Sequence, residues 1–447
     1  MRIFANISTF IFTILITTLS SASSSQPLSE YSALIARLQK TYAENADYPI
    51  LIVDRNEIEW EMAKRRLFGE TQREKRLAFL EEYFERKTGR DINFNDAVNI
   101  EIYVNILVDS AFSLRLHNDD MLNPKTPKVC LVFPAPENSN QRLETERVLA
   151  LNTPGVYGSL GYDNLRVKLS YEELRLFSLL HEIGHCLDRK FAPGSVFAGG
   201  ENSHDIHLSE SFAETFAALA MVREGYTKVA VRRAHMRIIY SRMIGPYLAA
   251  NPQIGLGSPT FMDGGVIYHL YPVLRAANVE IQASAGRLGT ANVEDLIHLA
   301  ERIVDQNALT YRTFSALTYL MKNGREEALQ RYEEMAKESP EFFSEAIIGL
   351  QNYLAVTDRV LKFAFDQKAK PAKPRGRLSS IRYKELCDDL NADDTQAFFS
   401  KVNLYRSELR SAYGTPEEQR ERAKALNWLM KEVSELCADA AAPRRLI

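Results

Sequence analysis

The most constraining feature of this sequence is a pair of histidines four residues apart inside an apolar segment. Residues 179–188 read LLHEIGHCLD. In a helix, residues four apart share one face, so His181 and His185 present two imidazoles to one metal ion. Zinc favours imidazole ligands and leaves a position for water in catalytic sites. We therefore predict one Zn2+ per chain held by His181 and His185, with Glu182 as the general base beside it.

The segment around this motif is predicted to be a buried helix. Ser170 followed by Glu173 is a capping-box pattern, and apolar residues then recur at helical spacing with no proline before Pro193. These signals indicate a helix over about 170–190 with apolar side chains on most of its surface. Gly184 is a poor helix former, but it lets another backbone or a substrate come close to the metal-binding face.

A second segment downstream offers a third ligand. We predict that Ser209 caps a helix whose first turn carries Glu210, with Glu214 one turn further on the same face. Small side chains keep this helix slim, so that it can pack closely against the first; they are Ala213, Ala217, Ala218 and Ala220. Glu210 is then the expected third metal ligand, and Glu214 the expected acceptor for the free ring N–H of a metal-binding histidine.

Together the two segments resemble the zincin metallopeptidases of the gluzincin branch. The resemblance is carried by HExxH at 181–185 and by ExxAE at 210–214, and it covers about residues 170–226. It implies that Glu210 is the third zinc ligand and that Glu214 is the acidic residue that accepts the free ring N–H of a zinc-bound histidine, although those enzymes commonly have Asp there. It also implies a small sheet whose edge strand lines the cleft, and 164–169 or 155–161 is the expected edge.

Two histidines between the motifs leave an alternative open. His204 and His207 lie in a polar connection, and a histidine as third ligand would resemble the metzincin branch instead. That branch has the spacing HExxHxxGxxH. Here Asp188 stands at the glycine position and Phe191 at the position of the third histidine, so the metzincin spacing is not met.

A hydrolase also needs a donor for the oxyanion that forms when water attacks a carbonyl. Residues 264–271 read GGVIYHLY, and we nominate Tyr268, His269 and Tyr271 as candidate donors. The alternative is that these aromatic side chains belong to the core.

The beginning of the sequence predicts export. An apolar run follows Met1 and Arg2 and ends in small residues, which is typical of a secretory signal peptide over 1–22. No later segment reaches 18 apolar residues, so no stable membrane anchor is expected after signal cleavage. The formal net charge of -3 gives no reason to propose a nucleic-acid partner. We expect a periplasmic or secreted protein.

The four cysteines can pair in an exported protein. Cys387 and Cys437 fall on apolar faces of predicted helices, and whether they bridge is left open. Cys130 and Cys186 are expected to be small core residues, and Cys130 would be the only thiol available to block the zinc ion.

The predicted fold class is α+β and mainly helical, with a zincin-like core, a small sheet and long helical C-terminal extensions. Strands are predicted at 50–54, 100–108, 128–133 and 165–169, helices at 28–43 and 57–87, and a plain helical hairpin at 310–340. The expected units are 1–22, the signal peptide; 23–169, an N-terminal helical segment and sheet; 170–365, the metal helices and a helical subdomain; 366–380, a basic linker with prolines; and 381–447, a helical module.

These features predict a zinc-dependent metallopeptidase acting on a protein or peptide substrate. Two other interpretations stay open. One is a non-catalytic exported helical interaction protein that retains a zincin shape, and the other is a zinc amidase acting on a cell-wall component. Glu182 argues against the first, because a structural metal site has no use for a base. The sequence does not predict the oligomeric state.

Overall fold

The computed structural model describes nine ranges of the chain: 30–43, 46–67, 72–90, 111–116, 129–135, 171–192, 203–228, 230–231 and 266–365. Of these residues 78% are helical, and a sheet of three strands completes the fold, which confirms the prediction of a mainly helical α+β protein. Several predicted features lie outside the described residues: the signal peptide, the strands at 100–108 and 165–169, the nominated edge segments, the linker, the C-terminal module, and Cys387 with Cys437.

The described elements are numbered here in chain order. The three strands are β1 (Ile50–Ile52), β2 (Phe112–Leu116) and β3 (Val129–Phe133). The first five helices are α1 (Glu30–Tyr42), α2 (Arg55–Arg65), α3 (Arg73–Thr88), α4 (Tyr171–Leu187) and α5 (Ser203–Arg223). The others are α6 (Tyr271–Leu288), α7 (Val293–Asn307), α8 (Tyr311–Asn323), α9 (Arg325–Glu338) and α10 (Pro340–Phe365).

Strand β3 lies in the middle of the sheet, between β1 and β2. It is parallel to β1, with Ile50 opposite Cys130, and antiparallel to β2, with Ser113 opposite Val132. All five residues of β3 are buried, as expected for a central strand with helices on both faces. The predictions of β1 and β3 are confirmed, whereas β2 was not predicted.

Alternating side chains of the sheet enter two separate cores. On one face, Leu131 and Phe133 of β3 pack with α2 and α3, and the apolar residues of β2 cover the same face. On the other face, Cys130 and Val132 join the core formed by α1, α4, α5, α6 and α7. Because side chains alternate along a strand, Ser113 and Arg115 of β2 point to the second face, where α4 lies.

The prediction of one charged helix over 57–87 is wrong. Helix α2 ends at Arg65, and the next residue, Arg66, has a left-handed backbone conformation (φ 56°). The backbone N–H groups of this cap donate to the carbonyl oxygens of Ala63 and Met62. The chain then folds back into α3, so that apolar residues of the two helices bury each other. Their charged residues form ion pairs at the surface, such as that between Arg65 and Glu82 at 2.9 Å.

Helix α5 is the centre of the larger core. Nearly every residue from 209 to 222 is buried, because α4, α6 and α7 all pack against it. Helices α8, α9 and α10 pack together around a smaller core of their own. The predicted helical hairpin at 310–340 is confirmed by α8 and α9. Among the described helices, none is long and apolar enough to cross a membrane.

The expectation that Cys130 and Cys186 are small core residues is confirmed, but their pairing with each other was not predicted. Both are fully buried, but they form a disulfide bond with a Cα–Cα distance of 5.8 Å. The bond joins β3 to α4 at the residue that follows His185. A disulfide sulfur is not a free thiolate, so Cys130 is not available to block a metal ion.

Candidate metal centre

Three side chains predicted as ligands come together between α4 and α5. His181 and His185 lie one turn apart on α4, and their Nε2 atoms are 3.1 Å apart. Oε2 of Glu210 on α5 is 3.4 Å from Nε2 of His181, and Oε1 of Glu210 is 3.6 Å from Nε2 of His185. The candidate ligand atoms of the three residues all lie within 4.8 Å of one another. This group could hold a metal ion.

The spacing of these atoms fits a small tetrahedral ion. Two ligand atoms about 2.1 Å from a tetrahedral zinc ion lie about 3.4 Å apart. The two Nε2 atoms are 3.1 Å apart, and each of them has one oxygen of Glu210 near that distance, Oε2 at 3.4 Å from His181 and Oε1 at 3.6 Å from His185. Two imidazoles and one carboxylate are also a donor set that zinc accepts with a fourth position left over. The residues present therefore fit the ion that the motif predicts.

A glycine allows α5 to come close enough to α4. A Cβ atom built on Gly184 would lie 3.0 Å from Cα and 3.2 Å from the carbonyl oxygen of Ala213, so a side chain at position 184 would push the helices apart. The expectation that Gly184 admits another backbone is confirmed, as is the close packing of the alanine-rich helix. This contact lies one residue before His185 and thus sets the distance between the histidines and Glu210.

Glu214 lies on the far side of the first histidine. Its Oε2 atom is 3.3 Å from Nδ1 of His181, and its side chain is almost completely buried. A carboxylate at Nδ1 favours the tautomer with the proton on that nitrogen, which leaves the Nε2 lone pair for a metal. This position agrees with the one predicted for Glu214, and its role as acceptor for the ring N–H of a metal-bound His181 stays a prediction.

Glu182 points to the sheet side of α4. Its Oε2 accepts a hydrogen bond of 2.9 Å from the hydroxyl of Ser113 in β2. Burial raises the pKa of Glu182, and the nearby Glu210 carboxylate raises it further, while His181 and the hydrogen bonds from Ser113 act in the opposite direction. A carboxylate with a raised pKa is a better general base near neutral pH. The contact with Ser113 was missed because β2 was not predicted.

The predicted cap at Ser209 is wrong. Helix α5 begins at Ser203, so Ser209 lies inside the helix, where it is buried. Its Oγ is 3.3 Å from Nδ1 of His185. Burial lowers the pKa of His185 to about 3, which keeps its imidazole neutral at physiological pH.

The alternative ligands His204 and His207 form hydrogen bonds with backbone groups away from the candidate metal centre. His207 is fully buried; its Nδ1 donates to the carbonyl of Ile267 at 2.8 Å, and its Nε2 accepts from the backbone N–H of Leu309 at 3.2 Å. Nε2 of His204 is 2.8 Å from the carbonyl oxygen of Leu309. Both imidazoles thus fasten α5 to the segments around α8, and among the described residues neither belongs to the group that could hold a metal.

The three nominated oxyanion donors lie in and beside the turn before α6. Tyr268 is 45% exposed, the ring of His269 packs edge-on against Tyr353 of α10, and Tyr271 begins α6 and packs against the larger core. His207 bonds to Ile267 in the same turn, which places the turn beside the first part of α5. The oxyanion role of these residues stays a prediction.

The fold and the site define a mainly helical α+β protein with a candidate His-His-Glu metal centre. No family model, no curated protein and no solved structure matches this chain.

Proposed function

We propose that this protein is a zinc-dependent metallopeptidase with a zincin-like core, in which His181, His185 and Glu210 hold the ion and Glu182 is the general base. The observation that carries the proposal is the convergence of the three candidate ligands: the two imidazole Nε2 atoms lie 3.1 Å apart, and one oxygen of Glu210 lies 3.4 Å from His181 while the other lies 3.6 Å from His185. The half-buried carboxylate of Glu182 lies beside them. A purely structural metal site does not need such a base.

A bound zinc ion supplies a Lewis acid that polarises a substrate carbonyl and makes water acidic enough to lose a proton near neutral pH. The Glu182 carboxylate accepts that proton at one oxygen while the C–O bond forms. It then gives the proton to the nitrogen of the leaving amine as the C–N bond breaks, so Glu182 ends the cycle ionised. The hydroxyl of Ser113 donates a hydrogen bond to Oε2 of Glu182, which leaves the other carboxylate oxygen to accept and return the proton.

The disulfide supports the exported location that the N-terminal sequence predicts. Stable disulfide bonds form in oxidising compartments and are rare in the cytosol. The Cys130–Cys186 bond is buried beside the metal centre. A periplasmic or secreted peptidase meets its protein or peptide substrates in the same compartment.

The first test is the zinc content of the purified protein, measured by elemental analysis. We expect about one zinc per chain in the parent, and loss of zinc in Glu210→Gln, which keeps the shape of the side chain but removes its charge. The matched control is Asp205→Asn on the same helix, because Asp205 is exposed. A parent without zinc after exposure to the ion, or a Glu210→Gln variant that keeps it, would contradict the proposed site.

The second test is hydrolysis of a mixed-sequence peptide library, followed by mass spectrometry. We expect cleavage by the zinc-loaded parent and none by Glu182→Gln, although that variant should retain the ion. Zinc binding without cleavage of any peptide would favour the non-catalytic interpretation. Release of amine from a cell-wall amide but not from peptides would favour the amidase interpretation.

A further inference from the structure

Strand β2 carries polar side chains on the face of the sheet that meets α4. On this face β1 and β3 contribute apolar residues to the larger core, whereas β2 contributes Ser113 and Arg115. Among the described strands β2 lies at an outer position of the sheet. Because Ser113 contacts Glu182, Arg115 is the next side chain along the same face, about 7 Å further on. Arg115 therefore lies at the border between the sheet and the candidate metal centre.

Two contacts fix the position of Arg115 along α4. In the sheet it is opposite Cys130, whose disulfide bond leads to Cys186, the residue after His185. Its Nη2 atom donates a hydrogen bond of 2.9 Å to the carbonyl oxygen of Asp188, which directly follows α4. The guanidinium is thus beside the helix turn that presents one of the candidate ligands.

The positive charge of Arg115 is half-buried, and within the described part of the chain no carboxylate forms an ion pair with it. The carboxylate of Asp188 is bound to the backbone instead, where its Oδ1 accepts from the N–H of Lys190 at 3.1 Å and of Phe191 at 2.7 Å. A guanidinium has five N–H donors, and the bond to the Asp188 carbonyl uses one of them. A carboxylate suits the remaining donors, because it can accept two parallel hydrogen bonds.

The candidate centre makes such a cation important for an acidic substrate. Glu182 and Glu210 both bring carboxylates to the centre, and these repel a substrate carboxylate. A cation at the border offsets this repulsion and gives the substrate carboxylate one place to bind. Arg115 offers that place on the side of the sheet.

We propose that Arg115 is a specificity-determining residue that binds a carboxylate of the substrate, so that the protein prefers peptides with an acidic group near the cleaved bond. The inference names the substrate class of the proposed function and rests on that function. Two sources supply the same chemistry: the side chain of an Asp or Glu in the peptide, and the free carboxylate at its C-terminus.

The first measurement is cleavage of three peptide pools by the zinc-loaded protein. One amidated pool has Glu at a fixed central position among uncharged residues, the second has Gln there, and the third has Gln and a free C-terminus. A hydrogen bond to a charged group changes binding by about 10- to 100-fold, so we expect an apparent KM lower by about that factor for a pool with a carboxylate. The preferred pool identifies the source. Equal KM values for all three pools would contradict the inference.

Variants separate the charge of Arg115 from its contact with α4. Arg115→Gln keeps a donor for the Asp188 carbonyl but loses the charge, so the preference should disappear. Arg115→Lys keeps the charge and should retain part of the preference. The matched control is Arg65→Gln, because Arg65 lies on α2 at the other face of the sheet, in a surface ion pair with Glu82. If Arg115→Gln slows cleavage of all pools by the same factor, the residue only supports α4 and the inference is wrong.

Binding to the metal-free protein separates this inference from the proposed function. Fluorescence anisotropy with the labelled pools needs no turnover, and we expect the preferred pool to bind more tightly to the parent and to Arg65→Gln than to Arg115→Gln. If the parent cleaves peptides but neither cleavage nor binding depends on a carboxylate, the inference is wrong and the proposed function stands. If the parent holds no zinc and cleaves nothing, but the preference in binding remains and depends on Arg115, the proposed function is wrong and the carboxylate site stands.

Discussion

Ser113 of strand β2 donates a hydrogen bond of 2.9 Å to Oε2 of Glu182, so a residue of the sheet holds the proposed general base on the neighbouring helix. The two residues are 69 positions apart in the chain. The contact joins the sheet directly to the candidate reaction centre, and it makes β2 part of the wall around that centre.

Ser113→Ala should slow peptide hydrolysis without removing the metal. A hydrogen bond to a charged group contributes about 1.5 kcal/mol or more, which corresponds to about a tenfold fall in kcat if the bond holds Glu182 in place. The measurement is kcat at equal zinc content, with Ser113→Thr as the variant that retains the hydroxyl. An unchanged kcat in Ser113→Ala would show that the contact has no part in turnover.

Gly184→Ala should destabilise the protein even though alanine is the better helix former. The added Cβ would meet the Ala213 backbone at 3.0 Å, and overpacking of this kind costs about 1–3 kcal/mol, more than the gain of about 1 kcal/mol in helix propensity. Urea unfolding measures the difference.

The control for this substitution is Gly286→Ala in α6. Nothing lies within 4 Å of a Cβ atom at Gly286, so alanine should leave stability unchanged or raise it. Equal effects at the two positions would mean that the close approach of α4 and α5 does not depend on Gly184.

Replacement of Cys130 and Cys186 by alanine should lower the free energy of unfolding by about 2–5 kcal/mol. The bond closes a loop over a sequence separation of 56, and the cross-link restricts the unfolded chain. Thermal unfolding of the parent and the double variant measures the change, and peptide mapping without reductant identifies the linked peptides. A variant with the parent Tm would rule out a stabilising role.

His207 should make stability fall as the pH is lowered. Burial lowers its pKa from 6.5 to about 4, so between these values the unfolded chain binds a proton that the folded protein does not. The stability is complete above pH 6.5 and decreases by about 3 kcal/mol as the pH falls to about 4, below which this residue has no further effect.

Urea unfolding of the metal-free protein at a series of pH values tests this expectation. The difference between the parent and His207→Gln isolates the contribution of His207, since other buried groups remain in both. His298→Gln is the control, because His298 is exposed, and it should keep the pH dependence of the parent. The same slope in His207→Gln would contradict the assignment.

Local patterns in the sequence predicted the parts of the fold that depend on neighbouring residues. The apolar spacing around His181 indicated α4, and the short apolar runs indicated β1 and β3. Four-residue spacing also placed His181 beside His185, and Glu210 beside Glu214, because helical periodicity determines both pairs. The assignment of Glu210 to the same centre came from the expected close packing of the alanine-rich helix and from the resemblance, because no local pattern contains the distance between two helices.

The features that sequence reasoning missed depend on contacts between distant segments. Ser209 looked like a helix cap because Glu210 follows it, but the helix begins six residues earlier, at Ser203. The turn before Ser209 carries His207, which packs against the distant Phe314, and no local pattern contains that contact. The pairing of Cys130 with Cys186 requires β3 to lie against α4. Strand β2, whose residues FSLRL alternate between apolar and polar, was overlooked, and no local pattern contains its contact with Glu182.

The position of the disulfide has a consequence for any processing of this protein by other proteases. A single cut between the end of β3 and the start of α4 divides the chain into two fragments that remain joined by the disulfide bond. The fragment with β3 would stay attached to the fragment with His181 and His185, so the pieces would separate on a gel only after reduction. Nicked and intact molecules would therefore have nearly the same mass under non-reducing conditions.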